Sequence, residues 1–338
     1  MKTLICNKPG QFEYIEVPKP ILTSGHAIVK IKRVGICGTD LHAFKGDQPF
    51  FNYPRILGHE LSGIIEEVDE QSGYSPGQKV SVIPYLHCGT CIACRTGKTN
   101  CCTTLKVYGV HIDGGMSDFF SVPVTHLYPH EELTLNALAL IEPLAIGAHG
   151  IRRASLLPGE FVLIIGVGPI GLGAMEFARI GGAKIIAMDV DEHRLSMCRT
   201  IFNVPYSMNA KSEHVMEELM EITNGELPSL VIDATGNQKA INNAFQYVAS
   251  GGRFVLIGLQ KGDITFSHPE FHRKESMVMS SRNATRYDFD RVVDALNNQK
   301  INPSNFINYT MKFSEVIDKF GYCLDPANGV IKGMIELD

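Results

Sequence analysis

Five of the nine cysteines in this chain fall within fifteen residues, CGTCIACRTGKTNCC. Four of them follow the spacing C-x2-C-x2-C-x7-C, namely Cys88, Cys91, Cys94 and Cys102. Thiolates at this spacing can close a tetrahedron around zinc, and four of them leave no coordination position for a substrate. We therefore predict a structural zinc lobe over residues 86–104, in which Cys101 is a spare thiol.

A second group of residues offers the mixed donor atoms that a catalytic zinc needs beside a vacant coordination position. Cys37 in VGICGTDLH offers a thiolate, and His59 and Glu60 in ILGHELSG offer an imidazole and a carboxylate. Taken singly, such residues are usually a core cysteine, a surface histidine and a charged turn residue. Their spacing does not separate the two interpretations, so the residue types indicate a candidate site and no more.

A third motif indicates a nucleotide. GVGPIG at residues 166–171 fits G-x-G-x-x-G, directly after the apolar run FVLII and before a helix-like segment. In that context the glycines allow a tight turn, close approach of a pyrophosphate and close helix packing. The N-terminus of the helix then faces the phosphates. The residues predicted to bind the cofactor at this turn are Gly166, Gly168, Pro169, Ile170 and Gly171.

The adenosine ribose of the cofactor is expected at Asp189, in the next strand-like run, KIIAMDV, 23 residues after Gly166. A carboxylate there accepts hydrogen bonds from the ribose hydroxyls and repels a 2′-phosphate, which predicts NAD rather than NADP. Arg194, five residues further on, either packs near the adenine or is an exposed helix arginine.

The segments around this turn alternate between strand and helix. FVLIIG, KIIAMDV, LVIDATG and RFVLIGL are typical of short buried strands, and helix-like segments such as DEHRLSMCRTI separate them. Strands of a parallel sheet are buried on both faces, so they are continuously apolar. The pattern predicts an α/β fold with a doubly wound parallel sheet in this part of the chain.

The flanking segments have a different character. The first third contains strand-like stretches punctuated by Gly and Pro, such as HAIVKIKRVGICG and GQKVSVIPY. Residues 133–154 predict a helix that is interrupted near Pro143. The last fifty residues contain a helical stretch, DFDRVVDALNNQ, and a strand, VIKGMIELD. We expect this last segment to return to the β-rich first domain.

Length and charge limit the classes of function. A chain of 338 residues exceeds the size at which one core keeps growing, so two domains are expected. The net charge of −5, without a block of like charges, argues against a nucleic-acid or membrane-surface partner. No signal peptide or membrane span is recognisable, so we predict a cytoplasmic protein. In a reducing compartment, clustered cysteines favour metal binding over disulfides.

Taken in chain order, GICGTDLH, GHE, the cysteine lobe, IEP and GVGPIG resemble the zinc-dependent medium-chain alcohol dehydrogenase family over essentially the whole chain. The resemblance implies a β-rich, GroES-like catalytic domain of residues 1–148 and 285–338. It implies a Rossmann domain of residues 149–284 that binds NAD. It also implies two zinc ions per subunit, one catalytic and one structural, and a homodimer or homotetramer.

The same resemblance implies ligands for the catalytic zinc. Cys37 and His59 match ligands of the family, and Glu60 matches a ligand that can exchange with water. In the polyol branch a glutamate of the IEPL segment completes the site, and here that residue is Glu142. Which of Glu60 and Glu142 ligates zinc at rest stays open. Glu142 lies in the apolar run LALIEPLAIGA, where a nearby zinc would offset the cost of burying a carboxylate.

A mechanism follows from this resemblance. Zinc lowers the pKa of a substrate hydroxyl, and the carbon of the resulting alkoxide passes hydride to C4 of the nicotinamide. Thr39 and His42 match the hydroxyl and the histidine that relay the proton in the family, and Asp40 matches a carboxylate that orients the histidine ligand. Thr39 and Asp40 are also residue types that would cap a helix starting at LHAF, and the two roles are compatible.

Five further stretches resemble the sugar-acid branch of the family: GDQPFFNYPRILGHE, GVHIDGGMSDFFSVP, DATGNQ, HPEFHRKE and SSRNAT. That branch oxidises a six-carbon aldonate, L-galactonate or L-gulonate, at its C5 hydroxyl. Such a substrate needs a cation for its carboxylate and polar groups for its hydroxyls. The candidates are Arg282 with Asn283, near the expected nicotinamide end, and His111 in GVHIDGG. Arg282 is either the carboxylate clamp or part of a surface or interdomain salt bridge.

Two other functions stay open at this point. A neutral polyol such as sorbitol or xylitol, or threonine, could undergo the same chemistry. A catalytically silent regulatory protein that responds to NAD or a sugar acid could use the same scaffold. The set of Cys37, His59 and Glu142 argues against the silent protein, because a binding module has no need of an open zinc site.

Overall fold

The computed structural model describes residues 1–48 and 51–338, so residues 49–50 of the GDQPFFNYPRILGHE stretch lie outside the described residues. The chain forms two compact units. The first unit comprises Met1–Glu142 and Val293–Asp338, and the second comprises Pro143–Val292. The first unit is therefore discontinuous in sequence, and the second is a continuous segment that interrupts it.

The strands of the described residues are short, and most contain six residues or fewer. In chain order they are β1 (Lys2–Lys8), β2 (Gln11–Glu16), β3 (His26–Ile36), β4 (Arg55–Ile56), β5 (Glu60–Val68), β6 (Lys79–Val82), β7 (Tyr85–Leu86), β8 (Lys106–Val107), β9 (Phe119–Pro123), β10 (Leu127–Pro129), β11 (Phe161–Ile165), β12 (Lys184–Asp189), β13 (Tyr206–Asn209), β14 (Leu230–Asp233), β15 (Arg253–Leu256), β16 (Met277–Ser280), β17 (Ile307–Lys312) and β18 (Lys332–Glu336).

The α-helices are α1 (Gly38–Lys45), α2 (Ile92–Arg95), α3 (Leu135–Ala139), α4 (Ile141–Arg153), α5 (Pro169–Ile180), α6 (Glu192–Thr200), α7 (Val215–Ile222), α8 (Gln238–Ala244), α9 (His268–Arg273), α10 (Arg286–Asn297) and α11 (Val316–Lys319). Single 3-10 turns lie at Glu70–Ser72, Thr99–Cys101, Val124–His126, Phe245–Tyr247, Pro303–Asn305, Phe313–Glu315, Phe320–Leu324 and Pro326–Asn328. In the part of the chain that the structure describes, no helix combines the length and the apolar character needed to cross a membrane.

The first unit is built around a seven-stranded sheet with the order β10-β6-β5-β3-β18-β17, in which β9 also pairs with β3. Two smaller sheets, β2-β1-β4 and β7-β8, complete its strands. The central strand β3 is largely buried, and it pairs antiparallel with β5 and with β18. Strands β17 and β18 therefore join the sheet of the first unit.

The second unit is a six-stranded sheet of entirely parallel strands, in the order β13-β12-β11-β14-β15-β16. Helices connect successive strands, and the central run FVLII of β11 is buried from its second residue onward. The core includes Leu163, Ile186, Val231 and Phe254, one from each of four neighbouring strands. These features confirm the predicted α/β class with a Rossmann-type doubly wound sheet.

Two local expectations differ from the structure. The break in the predicted helix falls at Leu140, and Pro143 instead lies in the first turn of α4, where its missing N–H group would have no helical partner. The helix begins earlier than expected, because α1 starts at Gly38 and Cys37 is its N-cap residue. Asp40 still takes part in capping, since its carboxylate at the N3 position accepts a hydrogen bond from the backbone N–H of Cys37. Thr39 and Asp40 thus occupy the first turn of the helix.

Candidate metal and cofactor sites

Cys37 lies at the junction between β3 and α1, where a buried strand ends and a helix begins. The antiparallel register of β3 and β5 places Glu60 directly across from Gly35. A side chain at Gly35 would overlap the carboxylate of Glu60, so the glycine leaves the space that this side chain occupies. The strand pairing thereby brings Glu60, and with it His59, to the end of β3 beside Cys37.

The donor atoms of Cys37, His59 and Glu60 all lie within 4.8 Å of one another. His59 and Glu60 are buried, and Cys37 is half-buried. The structure thus brings together three residues that are separated by up to 23 positions in the sequence. A thiolate, an imidazole and a carboxylate are the donor types that zinc takes in sites that keep an open position.

Asp40 connects the two loops that carry these donors. One carboxylate oxygen of this fully buried residue accepts a hydrogen bond from the backbone of Cys37 at 2.9 Å, and the other accepts one from the backbone of Gly58 at 3.3 Å. The Nδ1 atom of His59 lies 3.8 Å from the second oxygen. Burial raises the pKa of Asp40 above its usual value, although the charge of His59 and these hydrogen bonds oppose the shift.

Glu142 lies in the first turn of α4 and is also buried, but it is not one of the three residues whose donor atoms lie within 4.8 Å. Its Oε1 atom accepts a hydrogen bond from the hydroxyl of Tyr85. Burial raises the pKa of Glu142 to about 7, and the nearby charge of Glu60 acts in the same direction. Burial also raises the pKa of Tyr85 well above 10, so this hydroxyl stays protonated and able to donate.

Glu60 has a buried partner that the motifs did not indicate. The Nζ atom of Lys332, in β18, lies 2.6 Å and 2.7 Å from the two carboxylate oxygens of Glu60 and donates a further bond to the carbonyl of Ile36 at 3.1 Å. A lysine inside the apolar strand VIKGMIELD is the one signal that could have drawn attention to it. Tyr85 gave a weaker signal, as a tyrosine in a short run that leads into the cysteine lobe.

The charges around this cluster fit a divalent cation. The carboxylates of Asp40, Glu60 and Glu142 are all buried, and Lys332 balances one of them. The Nδ1 atom of His59 is buried and has no hydrogen-bond partner among the described residues, which is costly unless another group compensates it. Burial alone would lower the pKa of His59, but the negative charges of Cys37 and Asp40 outweigh it and hold the pKa well above its usual value. The site therefore favours positive charge.

The two residues expected to relay a proton lie on the same helix. Thr39 is half-buried in the first turn of α1, and His42 is exposed on its last turn. The Nδ1 atom of His42 lies 2.7 Å from a carboxylate oxygen of Asp47. His42 is thus in contact with solvent, as the outer end of a proton path must be.

The four cysteines of the predicted lobe meet in the structure. Their sulfur atoms all lie within 4.8 Å of one another, at Cys88, Cys91, Cys94 and Cys102. Backbone amides point at two of these sulfurs, from Cys88 to Cys102 at 3.3 Å and from Cys91 to Cys88 at 3.3 Å. Several hydrogen bonds lower the pKa of Cys88 to about 5, and the hydrogen bond from the side chain of Thr90 has the largest effect. The lowered pKa favours the thiolate form that a metal binds. Cys101 is exposed and lies outside this group.

The glycine-rich turn joins β11 to α5. Gly166 has φ of +87°, a conformation that side chains rarely adopt, and a Cβ atom at Gly171 would overlap the carbonyl oxygen of Gly166. Gly168 is the N-cap residue of α5, and Pro169 and Ile170 form its first turn. The first backbone amides of α5 are thus available at the end of a buried strand, the arrangement used to bind phosphates.

Asp189 ends β12, the strand next to β11, and is almost fully buried. Its carboxylate accepts hydrogen bonds from the backbone of Val167 at 2.8 Å and of Asp191 at 3.0 Å. The guanidinium of Arg194 lies 4.0 Å from Asp189, on the side of the glycine-rich turn. Arg194 is therefore beside the turn and not on a remote helix surface.

The predicted substrate residues fall in both units. Arg282 and Asn283 follow β16 in the second unit, where Arg282 is exposed and Asn283 is half-buried with φ of +51°. The Nδ2 atom of Asn283 is buried without a hydrogen-bond partner in the part of the chain that the structure describes. His111 belongs to the first unit, and its Nδ1 atom accepts a hydrogen bond from the backbone of Val107 at 3.1 Å.

Comparison with known proteins identifies the class. Residues 23–132 match the alcohol dehydrogenase GroES-like domain, and residues 169–298 match the zinc-binding dehydrogenase family. Fold, donor cluster and these matches together define a zinc-dependent alcohol dehydrogenase.

Similarity to individual proteins indicates the branch of the family. The chain is 42% identical to the L-galactonate-5-dehydrogenase of Escherichia coli (strain K12) over 99% of its own length and 98% of that protein. It is 32% identical to the starvation-sensing protein RspB of Escherichia coli (strain K12) over 94% of each chain. A solved structure of an alcohol dehydrogenase (rspB) from Escherichia coli CFT073, complexed with NADH, superposes with a TM-score of 0.92 at 31% identity over 99% of both chains. The chain belongs to the zinc-dependent medium-chain alcohol dehydrogenase family, in its polyol and sugar-acid branch.

Proposed function

We propose that this enzyme oxidises the C5 hydroxyl of a six-carbon aldonate, L-galactonate or L-gulonate, to the keto-acid and transfers the hydride to NAD. The observation that carries the proposal is the cluster of Cys37, His59 and Glu60, with donor atoms within 4.8 Å of one another in an acidic, mostly buried environment. The 42% identity to an L-galactonate-5-dehydrogenase over almost the whole chain supports the choice of substrate.

In this proposal, Cys37, His59 and Glu60 hold the catalytic zinc, and Glu142 completes the site. When bound, the zinc ion supplies a Lewis acid that lowers the pKa of a substrate hydroxyl towards neutrality. Asp40 orients His59, and it is 3.8 Å from Nδ1 of that ring. The four cysteines of the lobe hold a second zinc and fill all four of its coordination positions. This zinc therefore stabilises the chain without taking part in the reaction.

The proton released by the substrate leaves through the first helix of the chain. Thr39, half-buried in the first turn of α1, is the proposed inner member of the relay, and His42 is the outer one. His42 is exposed and its ring contacts Asp47, so the outer end of the proposed relay lies in contact with solvent.

NAD is the proposed cofactor. The turn of residues 166–171 binds the pyrophosphate, and Asp189 accepts hydrogen bonds from the adenosine ribose. The carboxylate of Asp189 lies at the end of β12, where it would repel a 2′-phosphate, and Arg194 lies beside it near the adenine. The relative of known structure with NADH bound supports the same choice.

Arg282 is proposed to bind the substrate carboxylate, and Asn283 and His111 to bind its hydroxyls. Asn283 is supported by its buried Nδ2 atom, which has no hydrogen-bond partner within residues 1–48 and 51–338 and is therefore suited to donate to a ligand. Arg282 is exposed at the carboxyl end of β16, the edge of a parallel sheet at which ligands bind.

The assembly and domain roles are also proposals. We infer a homodimer or homotetramer, because Met277 and Val278 on the edge strand β16 are 52% and 41% exposed and an apolar sheet edge favours pairing. The catalytic role is assigned to residues 1–148 and 285–338 and the NAD-binding role to residues 149–284. The cytoplasmic location stays a prediction.

A substrate panel tests the proposed function. With NAD and full zinc occupancy, L-galactonate or L-gulonate should be oxidised with a kcat/KM at least about a hundredfold above that for sorbitol, xylitol or threonine. Sorbitol and xylitol lack the carboxylate that Arg282 would bind, and threonine lacks the chain of hydroxyls that Asn283 and His111 would bind. A strong preference for a polyol or for threonine would contradict the aldonate assignment. Absence of NAD reduction with every substrate would favour the silent regulatory protein instead.

A further inference from the structure

Tyr85 lies at the base of the cysteine lobe. It opens β7, which pairs antiparallel with β8, and Tyr85 is the register partner of Val107. Cys88 follows Tyr85 by three residues, and Cys102 precedes Lys106 by four. The two-stranded sheet is therefore the stem of the lobe, and the four sulfur atoms close the loop that the stem begins.

Hydrogen bonds to the backbone on both sides of Tyr85 hold this residue in place. Its carbonyl oxygen lies 3.2 Å from Nε2 of His126, and the carbonyl of the preceding residue, Pro84, accepts a hydrogen bond from Tyr108 at 3.1 Å. The side chain is only 5% exposed. A short, doubly anchored strand of this kind holds its side chains in fixed directions.

The hydroxyl of Tyr85 donates to Glu142, which is 57 residues away in the sequence and belongs to the first turn of α4. Glu142 is buried near the donor cluster, where the charges of His59 and Glu60 both act on its pKa. A hydrogen bond to one oxygen of a carboxylate fixes the plane of the group, and thereby the direction of the other oxygen. Such partners of metal-binding carboxylates contribute about 10- to 100-fold to metal affinity.

We propose that Tyr85 is a positioning residue through which the cysteine lobe orients Glu142 beside the cluster of Cys37, His59 and Glu60. The proposal rests on the proposed function in one respect, namely that this cluster is a metal site. The lobe then has a role beyond stability, because its zinc holds the stem from which Tyr85 contacts Glu142 beside the cluster of Cys37, His59 and Glu60.

The first test replaces the hydroxyl alone. Zinc is kept in the cysteine lobe, and Co²⁺ is loaded at the cluster of Cys37, His59 and Glu60. The d–d absorption bands of the Co²⁺ and the rate of its loss to a chelator are then measured. Tyr85→Phe should shift the bands and speed Co²⁺ loss about 10- to 100-fold, with little change in melting temperature. Tyr108→Phe is the matched control, because Tyr108 is also buried near the stem but packs edge-on against Phe120. It should leave both measurements unchanged.

Three results would overturn the proposal in different ways. Bands and loss rates equal to wild type in Tyr85→Phe would exclude the positioning role. Slower Co²⁺ loss in Tyr85→Phe would mean that the hydroxyl competes with the metal for Glu142. If the wild-type protein took up no metal beyond that of the lobe, the proposed metal site of Cys37, His59 and Glu60 would fail as well.

The second test examines the link to the lobe by a double-mutant cycle. Cys91→Ser, which removes one zinc ligand of the lobe, should also speed Co²⁺ loss from the cluster of Cys37, His59 and Glu60. Adding Tyr85→Phe should then have little further effect, because both changes act through the same hydrogen bond. Leu86→Gly, which loosens the stem between Tyr85 and Cys88, provides the same test if Cys91→Ser does not fold. Fully additive effects would show that the lobe does not act through Tyr85.

Discussion

The amino group of Lys332 lies 2.6 Å and 2.7 Å from the two carboxylate oxygens of Glu60, and both side chains are buried. The pair joins β18 to the first residue of β5 across the central strand β3. Burial alone would lower the pKa of Lys332, but the hydrogen bond to Glu60 and the negative charges of Glu60, Cys37 and Glu142 together raise it. The lysine therefore stays charged and supplies a fixed positive partner to a carboxylate in the donor cluster.

Replacement of this lysine should be strongly destabilising. Lys332→Met leaves Glu60 buried without its partner, so the free energy of unfolding should fall by about 3–5 kcal/mol. Urea denaturation of the metal-free protein measures the change. Lys312→Met, at an exposed lysine of the neighbouring strand β17, should change it by less than about 0.5 kcal/mol. Equal stability of the two variants would contradict the structural importance of the pair.

Cys37→Ser should abolish turnover and keep the fold. A catalytic metal ion contributes several kcal/mol of transition-state stabilisation, so kcat/KM should fall at least about a thousandfold. Circular dichroism and the melting temperature should stay close to wild type. Cys323→Ser, at another partly buried cysteine of the first unit, is the control and should retain activity. Near-normal activity of Cys37→Ser would remove Cys37 from the proposed ligand set.

Cys91→Ser should mainly lower the stability of the protein. Loss of one of four lobe ligands weakens zinc binding, and the binding free energy of a structural zinc is part of the folding free energy. A loss of about 2 kcal/mol lowers the melting temperature by roughly 4–8 °C. Cys101→Ser, at the exposed thiol outside the group of four, should melt like wild type. Unchanged melting of Cys91→Ser would argue against a structural zinc.

Arg282→Ala should affect sugar acids selectively. A charge-assisted hydrogen bond to a carboxylate contributes about 1.5–3 kcal/mol, so the KM for an aldonate should rise about 10- to 100-fold. Steady-state kinetics with sorbitol, which has no carboxylate, provide the internal control and should show little change. An equal loss with both substrates would assign Arg282 to the cofactor or to the fold.

Asp288 should make the stability of the second unit sensitive to acid. Burial would raise the pKa of Asp288, but hydrogen bonds from His149 and Arg152 outweigh it and hold the pKa well below 3.8. A carboxyl group with a lowered folded-state pKa contributes stability that is complete above its unfolded pKa and is lost as the pH falls towards the folded value. Stability should therefore decrease below about pH 4 in part through Asp288.

Asp288→Asn tests this dependence by urea denaturation at several pH values. The variant should be about 3 kcal/mol less stable near neutral pH, because the buried His149 and the guanidinium of Arg152 lose the charge of the carboxylate that they contact. Its stability should fall less steeply than that of wild type below about pH 4. Asp294→Asn, at an exposed aspartate of the same helix α10, should keep the wild-type slope. Parallel curves for Asp288→Asn and wild type would contradict the argument.

The sequence predicts the parts of this protein that local patterns determine. The run FVLII is continuously apolar because β11 is covered on both faces, and that pattern is sufficient to place it in a parallel sheet. The cysteine lobe is equally local, since the spacing of four cysteines predicts the group whose sulfur atoms lie within 4.8 Å of one another. The positive φ of Gly166 follows from the strand–turn–helix context of its motif.

Other features depend on pairing between distant segments and were not predictable in this way. Lys332 meets Glu60 across 272 residues, and only the register of β18 on β3 brings the two together. Tyr85 meets Glu142 across 57 residues, through the geometry of the lobe stem. The start of α1 was also predicted too late, because Cys37 rather than a hydroxyl or acidic residue is its N-cap.

The separation between Lys332 and Glu60 has a consequence for biosynthesis. At about 5–20 residues per second, a ribosome needs on the order of tens of seconds to add the 272 residues that separate the two. The continuous segment Pro143–Val292 emerges completely within that interval and can fold, whereas the segment with Glu60 must wait for β18. The acidic metal cluster thus acquires its lysine counter-charge only after the whole of Pro143–Val292 has been synthesised.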